Sequence, residues 1–170
     1  MMRTLRDLAT AFQFLTRVPL PRFDYEADAL SRAPKILPLV GAAVGLAMVG
    51  INVLLSPHLP SLLAVLIVLL FLVGITGGLH KDGLADSADA FGGGWNRERV
   101  LEIMKVSRIG SYGALALIFS VGLRILLLAS LPVNRLFPYV VAAEVLARWT
   151  ILPLGKALPG ARDRSGLGAR

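Results

Sequence analysis

Apolar residues in this chain fall in blocks, not in alternation. Positions 36–55 and 61–79 carry no charge at all. Positions 113–131 carry only Arg124, and positions 136–154 carry only Glu144 and Arg148. A membrane-spanning helix needs about 20 consecutive apolar residues, so the pattern predicts four transmembrane helices at 36–55, 61–79, 113–131 and 136–154. Buried helices of a soluble core are the alternative. They would need amphipathic partners to cover them, and 170 residues with four such blocks leave almost none. The expected fold class is an all-α integral membrane protein, a single membrane domain over 1–170 without a soluble appendage.

Outside the blocks, Leu5, Leu8, Phe12 and Leu15 share one helical face, predicting an amphipathic N-terminal helix resting on the membrane surface. Residues 1–18 do not read as a signal peptide, because Arg3, Arg6, Asp7 and Arg17 interrupt any apolar stretch. Pro57 and Pro60 bracket a tight hairpin, and Pro132 and Pro138 mark the start of the fourth block. Residues after Gly160 read as loop.

Charge refines this picture. The net charge of +7 suggests a nucleic-acid binder until its placement is considered. Lys and Arg number six before the first block, none in the first connection, five in the second, one in the third and four in the tail. That alternation is the positive-inside pattern. It predicts a multi-pass protein of the bacterial cytoplasmic (inner) membrane, with both termini and the 80–112 connection in the cytoplasm, and no nucleic-acid partner. The lipid bilayer is the expected surrounding, and a homo-oligomer stays open. The chain has no cysteine, which excludes disulfides, thiolate catalysis and zinc–thiolate sites.

The chemistry concentrates in the 80–112 connection. His80-Lys81-Asp82-Gly83-Leu84-Ala85-Asp86-Ser87-Ala88-Asp89 places three carboxylates at the end of an apolar block. On a helix, 82, 86 and 89 are i, i+4 and i+7 and share a face. Like charges so placed repel unless a cation lies between them, and a hard divalent ion, Mg²⁺ or Mn²⁺, suits oxygen donors. Gly92-Gly93-Gly94 separates this acidic arm from a basic arm at 95–108, read as a helix with Asn96 as N-cap, Glu98 and Glu102 early, and Lys105 and Arg108 near its end. A divalent ion flanked by Lys and Arg is an arrangement for holding a diphosphate while phosphorus–oxygen bonds exchange. The glycines allow backbone to approach a ligand closely. No Walker A or Rossmann pattern is present.

The stretch Gly77-Gly78-Leu79 through Asp89 closely resembles the signature of the cobalamin synthase family, adenosylcobinamide-GDP ribazoletransferase. Three further passages agree: Phe12 to Pro21, Leu37-Pro38-Leu39-Val40-Gly41, and Leu101 to Gly110. The resemblance implies a Mg²⁺-dependent membrane transferase that joins α-ribazole, or its 5′-phosphate, to adenosylcobinamide-GDP with release of GMP. It implies Asp82, Asp86 and Asp89, with Glu102, as metal ligands. His80 would orient a carboxylate or act as a base, and Lys105 and Arg108 would contact the diphosphate and the leaving GMP. Arg17, Gly92, Gly93, Arg99 and Arg148 complete the set as substrate-binding candidates. Two departures accompany the resemblance: the family usually has Asp where this chain has Val106, and relatives continue through further apolar segments, so the sequence reads as lacking the C-terminal part.

Other functions remain in play at this level. A CDP-alcohol-type phosphotransferase also uses acids at a span's end, but with a longer spacing. A cation channel would need polar residues in several spans. An inactive truncated membrane protein is the third. Finally, Arg124 and Glu144 lie near the middles of neighbouring spans. An Arg at the bilayer centre costs about 2.5–3.5 kcal/mol on insertion scales, so an Arg124–Glu144 pair is expected, with Arg148 competing for the same carboxylate.

Overall fold

The computed structural model describes residues 2–20, 35–106 and 108–158. Arg22, Arg32, Ser107, Arg162, Arg164, Arg170 and the loop expected after Gly160 lie outside the described residues. All regular structure among the described residues is helical: α1 (Met2–Leu15), α2 (Leu37–Leu55), α3 (Ser61–Thr76), α4 (Leu79–Gly93), α5 (Arg97–Ile103), α6 (Ser111–Ser130), α7 (Val133–Trp149) and α8 (Ile151–Ala157).

Among the described residues, three helical segments are long and apolar enough to cross a membrane: Leu37–Leu55, Ser111–Ser130, and Val133–Ala157, which joins α7 and α8. The second expected span, 61–79, is shorter than its hydropathy suggests. Gly77 and Gly78 adopt left-handed backbone, with φ of 66° and 74°, and end α3 at Thr76. Two consecutive left-handed residues terminate a helix and redirect the chain, and only glycine does this without steric cost. The chain bends by 88° into α4. Together α3 and α4 pass the same test of length and hydropathy as a bent pair, a broken span or a re-entrant loop, and not as one straight rod. The 80–112 connection, expected as a loop with one helical arm, is mostly helix.

α2 is the hub of the core. Its Val40, Val44 and Met48 pack with Val65, Val68, Leu69 and Leu72 of α3 and with Leu136 and Val140 of α7. α1 does more than lie on a surface: Ala11 and Leu15 enter this core, while Leu5 stays exposed. The α2–α7 approach is unusually close. A Cβ on Gly41 would collide with the Glu144 carbonyl, and one on Gly45 would lie 3.0 Å from Val141 Cα. Small residues four apart let two backbones meet where no hydrophobic drive between helices exists. On the other side, α3 packs on α6 and α6 on α4. Ser61 Oγ donates to the Ala129 carbonyl at 3.0 Å, tying the start of α3 to the end of α6. The outward faces are large and apolar, including Leu66 and Leu70 of α3 and Ile118, Phe119 and Leu126 of α6, as lipid contact requires.

Candidate functional site

The acidic helix α4 is fixed at both ends. At its start, Gly77 and Gly78 set its direction, and the Arg17 guanidinium lies directly over Gly77, where a side chain would collide with it. The Arg17 N–H donates to the Ile75 carbonyl at 2.7 Å, so the segment after α1 is stitched to the end of α3. Near its other end, both carboxylate oxygens of Asp89 accept backbone N–H groups: Oδ2 from Gly110 at 2.7 Å and Oδ1 from Gly113 at 2.8 Å. These are orphan donors at the start of α6, and a carboxylate there also meets the positive end of the helix dipole.

α5 begins as expected, with Asn96 Oδ1 accepting from the Arg99 N–H at 2.8 Å. It is shorter than the expected arm, because i→i+3 bonds from Lys105 to Glu102 and from Val106 to Ile103 tighten and close it. Lys105 and Arg108 thus sit beyond the helix, on the strand of chain that returns to α6.

That return places them across from α4. A cavity of about 860 Å³ is walled by Arg17, Gly77, Lys81, Asp82, Asp86, Met104, Lys105, Val106 and Arg108, among others. Asp82 and Asp86, one turn apart, face it with no ion pair or side-chain hydrogen bond among the described residues. Lys105 and Arg108 are likewise unpaired. Two free carboxylates opposite two free cations is an arrangement suited to a phosphate-bearing ligand with a divalent ion.

The other candidates are placed differently. Among the described residues no three His, Asp or Glu side chains converge on one metal position. Asp89, expected beside Asp82 and Asp86, is turned to the α6 N-terminus. Glu102 pairs with Arg99 at 2.7 Å and borders a smaller neighbouring cavity of about 370 Å³, which Gly93 and Arg99 also line. Arg99 additionally lies over the Trp95 ring, 5.9 Å from its centroid. Of the glycine run, Gly93 lines that smaller cavity, while Gly92 and Gly94 pack protein: Gly92 is pressed against the Tyr112 ring, and a Cβ on Gly94 would lie 2.6 Å from the Ala90 carbonyl. His80 walls neither of these two cavities. Arg148 is 3% exposed and ion-paired to Glu144, which buries it within the α2–α7 interface. The expected Arg124–Glu144 pair is present at 3.5 Å, and Arg148 shares the same carboxylate.

The donor set fits Mg²⁺ in one specific way. That ion commonly takes one or two protein carboxylates and completes its octahedron with water and substrate phosphates. Asp82 and Asp86, free and on the cavity wall, supply such a pair.

Some features escaped the sequence reading. The bend at Gly77-Gly78, the Gly41/Gly45 approach and the Asp89 latch each had a signal: a glycine pair at a span's end, glycines four apart in an apolar helix, and Gly-Ser-Tyr-Gly opening an apolar block.

The chain is similar to known proteins. The family model described as cobalamin-5-phosphate synthase (CobS) matches residues 7–170. The chain is 46% identical over 171 residues to the adenosylcobinamide-GDP ribazoletransferase of Azorhizobium caulinodans, covering 94% of this chain and 64% of that protein. It is 40% identical over 159 residues to the one of Leptospira interrogans, covering 90% and 59%. For that of Shewanella amazonensis the figures are 45% over 130 residues, 76% and 50%. The chain therefore spans between half and two thirds of the length of these relatives. No solved structure matches it. With the match running through the N-terminal segment, the bend, the acidic helix and the return loop, the chain belongs to the cobalamin-5-phosphate synthase family.

Proposed function

We propose that this chain carries the nucleotide-diphosphate end of an adenosylcobinamide-GDP ribazoletransferase site. The observation that carries the reading is the cavity that Asp82 and Asp86 line together with Lys105 and Arg108, in a chain whose curated relatives bear that name. In this reaction the acceptor hydroxyl of α-ribazole, or of its 5′-phosphate, forms a bond to the corrinoid-side phosphorus. The bond from that phosphorus to GMP breaks.

Asp82 and Asp86 are the residues that would hold Mg²⁺, which when bound supplies charge neutralisation at the diphosphate. Lys105 and Arg108 stabilise the charge that develops on the departing GMP, as cations do in phosphoryl transfer generally. Arg17, held over Gly77, adds a further guanidinium to the cavity wall, which Lys81 also lines. The alternation of Lys and Arg along the chain supports an inner-membrane location with this cavity opening to the cytoplasm.

The test is direct. The chain, reconstituted in lipid, is supplied with adenosylcobinamide-GDP, α-ribazole and Mg²⁺, and GMP is measured. Release that depends on all three, and is lost in Asp82→Asn, supports the reading. A protein that folds, binds Mg²⁺ and releases no GMP refutes it for this chain.

A further inference from the structure

α6 and α7 follow one another through a short turn, Leu131-Pro132, yet they do not pack along their lengths. α6 lies against α3 and α4, and α7 against α2. Near the turn, Leu128 of α6 and Leu136 of α7 still border one small void. Further from it, the Arg124 guanidinium reaches the Glu144 carboxylate at 3.5 Å. Both are long side chains, so this ion pair spans a cleft that the two backbones leave open.

The cleft is unsuited to lipid. Glu144 serves both Arg124 and Arg148, so one carboxylate answers two guanidiniums and one positive charge is left over. Arg148 is buried, whereas the Arg124 side chain is 43% exposed. An exposed guanidinium well inside an apolar helix is costly in a bilayer unless an acceptor joins it. Arg124 walls neither of the two cavities described above, so a ligand bound there does not cover it. Its surroundings on α6 are bare. Leu123 and Leu127, which flank it, are 59% and 55% exposed, and 6% of the α6 apolar stretch is buried against 39% of α2.

We propose that the α6–α7 cleft seats a further membrane-spanning helix, one that carries an Asp or Glu at the depth of Arg124. Its apolar side covers Leu123 and Leu127, and its carboxylate cancels the charge that Glu144 leaves standing. A helix is the form required, because a segment in hydrocarbon must satisfy its own backbone. A second copy of this chain does not qualify. Glu144 is the sole acid within the four apolar blocks and is itself 4% exposed, and two α6 faces brought together would set Arg124 against Arg124. A lipid headgroup stays at the bilayer surface. The occupant belongs to the length that the curated relatives have beyond the match, which covers 64% and 59% of two of them.

Two measurements test this, and neither needs GMP release. In the first, photoreactive p-benzoyl-phenylalanine replaces Leu127. The chain is co-expressed with the part of the Azorhizobium caulinodans protein that lies outside the match, and the membranes are irradiated. An adduct with that part is expected, falling about fivefold or more in Arg124→Leu and restored in Arg124→Lys. Arg124→Leu leaves Glu144 paired with Arg148, so thermal unfolding in detergent should be unchanged. Adducts confined to lipid or to a second copy of the chain, or adducts indifferent to residue 124, overturn the proposal. The second measurement uses the unaltered chain in phosphatidylcholine vesicles with two synthetic helices of about 20 Leu and Ala residues, one bearing a central Glu and one wholly apolar. Energy transfer should report about tenfold tighter association of the Glu helix. Equal association of the two helices overturns the proposal whatever the adducts show.

Discussion

Asp89 and Gly113 stand 24 positions apart in sequence and 2.8 Å apart in space, carboxylate oxygen to backbone N–H. With the companion bond to Gly110, this relationship sets the register of the acidic helix on α6. Asp89 thereby works on the same helix as Asp82 and Asp86 but in a different capacity. Asp89→Ala is expected to lower stability by about 1–2 kcal/mol, the usual loss for a helix cap. Asp89→Asn, which keeps a carbonyl acceptor, should lose less. Thermal unfolding in detergent checks both, and an Asp82→Ala variant with a larger loss than Asp89→Ala would contradict the assignment.

Asp82 and Asp86 have no ion pair or side-chain hydrogen bond among the described residues, so removing either charge should leave the fold intact. Asp82→Asn and Asp86→Asn are expected to unfold at the temperature of the unaltered chain or above it, because two like charges one turn apart repel. GMP release in the same variants should fall by about a hundredfold or more, in line with lost electrostatic stabilisation. Chelation of Mg²⁺ should abolish release and its return should restore it; release unaffected by chelator would remove the ion from the scheme.

Much of this was legible in the chain before any coordinates. Four apolar blocks announced an all-helical membrane protein because lipid leaves helices as the simple solution. The acid spacing put Asp82 and Asp86 on one face, and Asn96 marked its helix start. What stayed hidden depends on contacts between distant segments. The i, i+4, i+7 pattern cannot tell that Asp89 is claimed by glycines over 20 residues away, nor that Arg148 is sealed against Gly41 instead of facing a ligand. Hydropathy counted Gly77 and Gly78 as span residues, since it registers polarity and not backbone conformation. The run Gly92-Gly93-Gly94 looked like a ligand cradle because the need for close approach is visible in sequence while the approaching group, here Tyr112, is not.

Glu144 holds two guanidiniums inside the bundle. Glu144→Gln leaves Arg148 buried without its counter-charge and is expected to cost about 3–5 kcal/mol. The pair Glu144→Leu with Arg148→Met removes both charges and should recover most of that loss. Denaturant titration of the single and double variants decides; a double variant as unstable as the single would mean that packing, and not charge, dominates at this point.

Gly41 leaves no room for a side chain where α2 meets α7, so Gly41→Val should destabilise by about 1–3 kcal/mol or more through overpacking. Gly50, on the same helix with open space around it, is the control, and Gly50→Ala should be neutral or slightly stabilising. The two thermal shifts, read side by side, separate a glycine required by close approach from one that is merely present.

Val106 borders both cavities. Val106→Asp adds a carboxylate within the same wall as Asp86. The expected outcome is tighter Mg²⁺ binding, about tenfold, with GMP release saturating at lower ion concentration. An unchanged ion dependence would place that carboxylate outside the shell.

The elbow at Gly77-Gly78 has a mechanical consequence. Its two supports are the strand leaving α1, through Arg17, and the helix bearing the acids. The first is bonded to Ile75 just before the elbow and lies over Gly77, and the second departs from Gly78, so a substitution at Gly77 would disturb the seat of the amino-terminal segment and the heading of the acidic helix together.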